Sequence, residues 1–181
     1  KNIRDLNNYS HWVDYLISRY RIVGPNDEQI IKLTKEFETL FPQYTEDVNY
    51  RLLYSLLKVG GENMDIAANL NEIGTEYFDL QDYESAITFY EKALEFDDTD
   101  YIIFENAGIA NNLNENFTKA AYYFDKVIYE FKPGNGKSEY LKGLMLIKLD
   151  SLEKGCDYLK RSSQLNYSGT GSLQVYNNFC N

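Results

Sequence analysis

The feature that most constrains this chain is a pattern of small residues that returns after 34 positions: Gly74, Ala86 and Tyr90 recur as Gly108, Ala120 and Phe124. A third, weaker copy runs from Gly143 through Gly155 and Leu159, displaced to 35 positions by the longer loop Pro133-Gly134-Asn135-Gly136-Lys137-Ser138. A period of this length is the signature of a stacked array in which every unit repeats one supersecondary motif. The physical reading is a pair of antiparallel helices per unit. Small residues at the crossing let the two backbones approach, and large residues fill the space around it. A bulky side chain at Gly74 or Ala86 is expected to cost roughly 1–3 kcal/mol through overpacking. One pair cannot bury its apolar face alone, so stacking of neighbours must complete a continuous core.

Within the units, Leu80-Gln81-Asp82-Tyr83 and Asn114-Glu115-Asn116-Phe117 supply short polar turns, with Asp82 and Asn116 placed as N-caps. Upstream, Leu6, Tyr9, Val13, Leu16, Ile17 and Tyr20 fall at helical spacing, and Trp12 widens that stripe. A second helix is expected to open at Gly24-Pro25-Asn26 and run through Ile30, Ile31, Leu33, Phe37 and Leu40 until Pro42. A third is expected from Glu46 to Lys58, ended by Gly60-Gly61 and followed by a long helix into the first clear repeat. These upstream helices read either as diverged repeats or as an amino-terminal cap. The segment Ser172 to Cys180 reads as one short amphipathic helix shielding the open end of the array.

Composition narrows the function classes. At 181 residues the chain can bury roughly two-thirds of its unfolded surface. Hydrophobic residues make up 44% and charged residues 25%, and 3 Pro with 11 Gly is too little punctuation for a disordered or many-stranded chain. Tyrosine is the outlier at 17 residues, suited to seams between helices and also to recognition surfaces. The formal charge of -10 sits in the middle: residues 67–134 hold 4 basic and 14 acidic side chains, whereas residues 135–181 hold 6 and 4. Such a chain repels a phosphate backbone, which argues against nucleic acid and anionic membrane surfaces. The acidity reads either as a solvated face or as a field that steers a basic partner. No apolar run is long enough to span a bilayer, and KNIRDLNNYS lacks the apolar region of a secretory signal. A start at Lys1 fits a processed or truncated product.

Candidate chemistry is sparse. Gly134-Asn135-Gly136-Lys137-Ser138 imitates the end of a phosphate-cradling loop, but the first glycine of that motif would fall at Phe131, and the loop follows a helix rather than a strand. It reads as a turn between repeats, with Pro133 and Gly134 ending one helix and Ser138 or a neighbour capping the next. His11 is the only histidine, which removes triads and multi-histidine metal sites. Asp97, Asp98 and Asp100 lack the spacing that wraps calcium and read as a solvated loop near a helix N-terminus. Neither a catalytic set nor a cofactor or metal site is expected. Cys156 and Cys180, 24 residues apart, lack a C-x-x-C spacing. If they lie on neighbouring helices a disulfide is geometrically possible; otherwise they are buried thiols acting as small apolar residues.

The run Leu70-x2-Ile73-Gly74-x2-Tyr77, then Ala86-x3-Tyr90-x2-Ala93, resembles the tetratricopeptide repeat consensus, with its Trp and late Pro replaced. The resemblance implies an all-α fold of antiparallel helical hairpins stacked as a right-handed superhelix, an α-solenoid. It divides the chain into a helical region 1–66, repeats at 67–100, 101–135 and 136–167, and a capping helix at 168–181. It also implies a protein-binding scaffold rather than an enzyme, whose first helices line a concave groove for a partner peptide or helix. By resemblance the wall comprises Asn71, Thr75, Phe78, Asp79, Ile102, Glu105, Ile109, Asn112, Leu113, Tyr140, Leu144 and Lys148. Asn71, Thr75, Glu105 and Ile109 occupy positions where family members that clamp a carboxyl terminus need Lys, Asn and Arg, so the expected partner instead offers apolar side chains with basic flanks. The alternative is self-association, or a spacer role in a longer protein. The stretch Gly155-Cys156-Asp157-Tyr158-Leu159-Lys160 with Leu165-Asn166-Tyr167 and Phe179-Cys180 resembles the last repeat of bacterial envelope members, which implies periplasm or outer membrane, with cytoplasm as the alternative.

Overall fold

The computed structural model describes residues 9–24, 27–44, 47, 48, 50, 51, 54, 63–165, 167 and 172–180. Among them the chain is all-helical: α1 (Tyr9–Val23), α2 (Glu28–Leu40), α3 (Asn63–Asp79), α4 (Tyr83–Phe96), α5 (Tyr101–Leu113), α6 (Phe117–Asp125, prolonged by a π-helical stretch Lys126–Phe131), α7 (Lys137–Lys148), α8 (Leu152–Gln164) and α9 (Ser172–Cys180). The expected positions of Leu6, Pro25, Asn26 and Gly60-Gly61, and much of the helix expected at 46–58, lie outside the described residues.

Hairpins form from α1 with α2, α3 with α4, α5 with α6, and α7 with α8; α4 then packs on α5 and α6 on α7, so the hairpins stack, and α9 closes on α8. The turns explain why the hairpins resemble one another. Gln81, Glu115 and Asp150 all take left-handed conformations, with φ of 63°, 61° and 57°. The next residue's amide in each case reaches back five positions: Asp82 N to Tyr77 O at 3.0 Å, Asn116 N to Asn111 O at 2.8 Å, and Ser151 N to Leu146 O at 2.9 Å. This closure satisfies carbonyls that the helix end would orphan, against the roughly 1–2 kcal/mol cost of a left-handed residue with a side chain.

Caps follow the sequence in part. Asp82 accepts from Ser85 N at 3.1 Å, and Asp100 accepts from Ile102 N at 2.8 Å. Asn116 holds the cap position of α6 but makes no side-chain cap bond, contrary to expectation. The cap of α2 is Asp27, accepting from Ile30 N at 3.0 Å. Ser138 does not cap α7 either: it is turned inward and buried, and the neighbours Asn135, accepting from Lys137 N at 3.0 Å, and Gly136 open that helix.

At the crossings a larger side chain would collide with the returning helix. A Cβ on Gly74 would stand 2.7 Å from the Tyr90 ring, and one on Gly108 2.7 Å from the Phe124 ring. The third hairpin solves the crossing differently. There Gly143 and Gly155 face one another, and a Cβ on Gly155 would stand 2.6 Å from Ile147 and 2.8 Å from the Gly143 carbonyl. The thinning of aromatics in the third repeat thus coincides with closer backbones.

Buried clusters bridge neighbouring hairpins. Tyr20 and Ile30 of the first hairpin share one cluster with Ile66, Ala67, Leu70, Ile73, Phe89, Ala93 and Ile103, so the amino-terminal helices complete the face of the first repeat. Farther along, Ala120, Phe124 and Ile128 of α6 join Met145 of α7. At the far end a disulfide joins Cys156 of α8 to Cys180 of α9, with 5.6 Å between their Cα atoms. A terminal cap should present a polar outer face. Although α9 bears no charged residue, its Leu173 and Phe179 are 60% and 53% exposed, because α8 covers one side of it only.

Two stability measurements check this account. Chemical denaturation should show Gly155→Ala losing about 2 kcal/mol or more and Gly74→Ala losing less, because the Tyr90 ring can shift whereas the Gly143 carbonyl cannot, and both variants regain about 1 kcal/mol of helix propensity. Equal losses would contradict the difference between the crossings. Reduction of the disulfide should lower stability by about 3 kcal/mol, as expected for a loop of this length, with protease cutting at α9 before the repeats.

Candidate protein-binding groove

The first helices α3, α5 and α7 touch in sequence, and the residues expected to form a groove wall lie along them. On α3, Asn71 is half-buried and its Oδ1 accepts from Asn106 Nδ2 of α5 at 2.9 Å. Thr75 is exposed, donates to Asn71 O at 3.0 Å and lies 3.2 Å from the Tyr90 hydroxyl. Burial holds that hydroxyl above the ordinary tyrosine pKa, so it stays a neutral donor and acceptor. Phe78 is half-buried with its ring 5.5 Å from Tyr83, and Asp79 is exposed.

On α5, Ile102 and Leu113 are each 46% exposed, which makes them the most accessible apolar side chains of the expected wall. Ile109 is half-buried and leans on Ala120, Phe124, Ile128 and Met145, and Asn112 is half-buried beside it on the helix. On α7, Leu144 is half-buried, and Lys148 is exposed, 3.5 Å from Glu115 and over the Phe117 ring at 5.1 Å.

Two expected wall residues are not available to a partner. Glu105 is only 2% exposed: its carboxylate accepts from Ser138 Oγ at 2.8 Å and pairs with Lys137 Nζ at 3.0 Å, both at the start of α7. Tyr140 is 7% exposed, with its ring 5.4 Å from Tyr167. The resemblance places both on the wall, but the start of α7 covers Glu105 and the Tyr167 ring packs on Tyr140. The wall expected from the resemblance omits Asn106, Lys137 and Ser138. Together with Asn71 and Glu105 they form a polar seam that fixes how each repeat sits on the next. The only sequence signal for it is a carboxylate in a mostly apolar helix, with Lys and Ser opening the following one.

The electrostatics are uneven. Residues 67–100 carry ten carboxylates against a single basic residue, Lys92. Lys92 pairs with Glu95 at 2.8 Å, and Lys119 of α6 pairs with Glu91 at 2.7 Å. The wall therefore runs from Asp79 on α3, through Ile102, Ile109 and Leu113 on α5, to Lys148 on α7. Among the described residues no cluster of three or more His, Cys, Asp or Glu side chains could hold a metal ion, and no helix is long and apolar enough to cross a membrane.

Residues 67–100 match the family model of the tetratricopeptide repeat, the span covered by α4 and most of α3. A search of curated proteins finds no match to the chain.

The seam makes a measurable demand. Glu105→Ala should cost about 2 kcal/mol by leaving the buried Ser138 hydroxyl without an acceptor, and combining it with Ser138→Ala should cost less than the sum of the two single losses. Strict additivity in denaturant melts would mean that the two side chains do not interact.

Proposed function

We propose that this chain, whose residues 67–100 are a tetratricopeptide repeat, works as a protein-interaction scaffold that seats a partner segment along α3, α5 and α7. The observation that carries the reading is the pairing of exposed Ile102 and Leu113 on α5 with the strongly acidic repeat beside them. Ordinary soluble helices expose scattered apolar residues, but here two lie on the wall helix itself, flanked by the half-buried Phe78, Ile109 and Leu144. A partner with two or three apolar anchors and a basic flank matches both features: the anchors supply affinity and the charge supplies steering and direction. The gradient from Asp79 to Lys148 favours the basic flank over α3. Asn71, Thr75 and Asn112 provide polar contacts at the margin.

The bond between Cys156 and Cys180 supports an oxidising compartment, such as the periplasm or the outer-membrane face of a bacterial envelope assembly. A second reading, stacking on copies of itself or on other domains, draws support from exposed Leu173 and Phe179 on the uncharged helix α9.

Ile102→Glu with Leu113→Glu separates the two readings with little risk to the fold, since both side chains are already half in water. Capture of the native partner should fall at least tenfold, about 1.4 kcal/mol, with helical circular dichroism unchanged. Undiminished capture would dispose of the groove. Loss of a concentration-dependent oligomer in Leu173→Glu, seen by sedimentation, would instead favour self-stacking.

A further inference from the structure

On a different flank of α3 from Asn71, Thr75 and Phe78, a cavity of about 580 Å³ opens between α3 and the segment that carries Tyr50, Arg51 and Tyr54. Its floor is the buried Ile73, and Asn69, Glu72 and Glu76 complete the α3 side. The aromatic wall is held in place from behind: the Tyr50 ring stacks on Phe37 at 5.4 Å with 10° between planes, and its hydroxyl donates to Glu38 at 2.8 Å. Burial, and then that hydrogen bond, push the Tyr50 hydroxyl well above the ordinary tyrosine range, so the wall stays uncharged. Tyr54 stands 6.2 Å from Tyr50 and is 46% exposed, a ring presented at the cavity mouth.

The chain itself shows what this surface accommodates. The Arg51 guanidinium pairs with Glu76 and lies 5.1 Å from the centre of the Tyr77 ring. Burial opposes its charge, but the hydrogen bonds and attraction from Glu76 and Tyr77 outweigh it, and the guanidinium pKa is raised. A carboxylate at the edge of a planar cation and a tyrosine ring on its face is the arrangement that favours arginine over lysine. One turn before Glu76, Glu72 lines the same cavity as Tyr54, is exposed, and has no ion-pair partner among the described residues.

We propose that this cavity receives an arginine side chain of the bound protein, with Glu72 as its counter-ion and the Tyr54 ring as its wall. The proposal rests on the reading of the partner as basic-flanked, and it gives one flanking charge a seat outside the groove. Arg51 already satisfies Glu76, so the incoming guanidinium adds to the resident pair rather than displacing it.

The test uses the whole chain and a fluorescein-labelled Gly-Arg-Gly-Arg-Gly peptide, with a citrulline version as the neutral isostere, followed by anisotropy at low salt. The arginine peptide should bind about fivefold more tightly, and Glu72→Gln and Tyr54→Leu should each weaken it about threefold, the range of a partly exposed ion pair or cation–aromatic contact. Glu84→Gln, an exposed carboxylate of the same repeat remote from the cavity, should change nothing. Equal or undetectable binding of both peptides overturns the proposal. So does an equal loss in Glu84→Gln and Glu72→Gln, because bulk charge would then explain the attraction. The groove variants Ile102→Glu and Leu113→Glu should leave peptide binding intact, so the groove reading can fail on partner capture while the cavity stands, and the reverse.

Discussion

The structure depends on close approach of two helices at a crossing where one side chain is absent. At Gly74 and Gly108 the missing Cβ makes room for an aromatic ring from the returning helix, and at Gly143 and Gly155 both backbones give up their side chains. Everything else in the array is arranged around that distance. The left-handed turns at Gln81, Glu115 and Asp150 reverse the chain in the same way, and after the first two an aromatic ring arrives over the glycine. Because the turns repeat and the crossings at Gly74 and Gly108 are alike, successive hairpins present similar shapes to one another, and a stack follows from local geometry.

Stacking in turn decides which side chains are left for a partner. The seam of Asn71 with Asn106, and of Glu105 with Lys137 and Ser138, consumes polar groups that an isolated helix would expose. What remains outward on α5 is apolar, at Ile102 and Leu113, and what remains outward on the first repeat is mostly acidic. The chemical character of the surface is therefore what the assembly of repeats leaves over. The same logic applies at the amino-terminal end, where Tyr20 and Ile30 cover the open face of the first repeat and bring Tyr50, Arg51 and Tyr54 alongside α3.

Much of the fold was legible in the sequence because its determinants are local and periodic. The spacing of Gly74, Ala86 and Tyr90 names helix, crossing and partner ring at once, and Asp82 announces its own cap. Legibility stopped where the outcome depends on a neighbouring repeat. Asn116 has the chemistry of a cap yet makes no cap bond, and Ser138 has the chemistry of a cap yet turns inward to Glu105. The family resemblance assigned Glu105 and Tyr140 to an open wall, but burial depends on what packs over each helix, which a single helix does not reveal.

The sequence by itself determined that the chain is helical, that its hairpins repeat every 34 to 35 residues, and where its negative charge lies, since each of these is written in spacing or composition. Only the tertiary structure decided three further things: that Glu105 belongs to a seam, that Cys156 and Cys180 meet across α8 and α9, and that a cavity lined by Arg51 lies beside α3. The physical reason is the same in all three. Each joins residues at least 24 positions apart, and such meetings are set by how whole hairpins rotate and slide against one another, which no local pattern encodes.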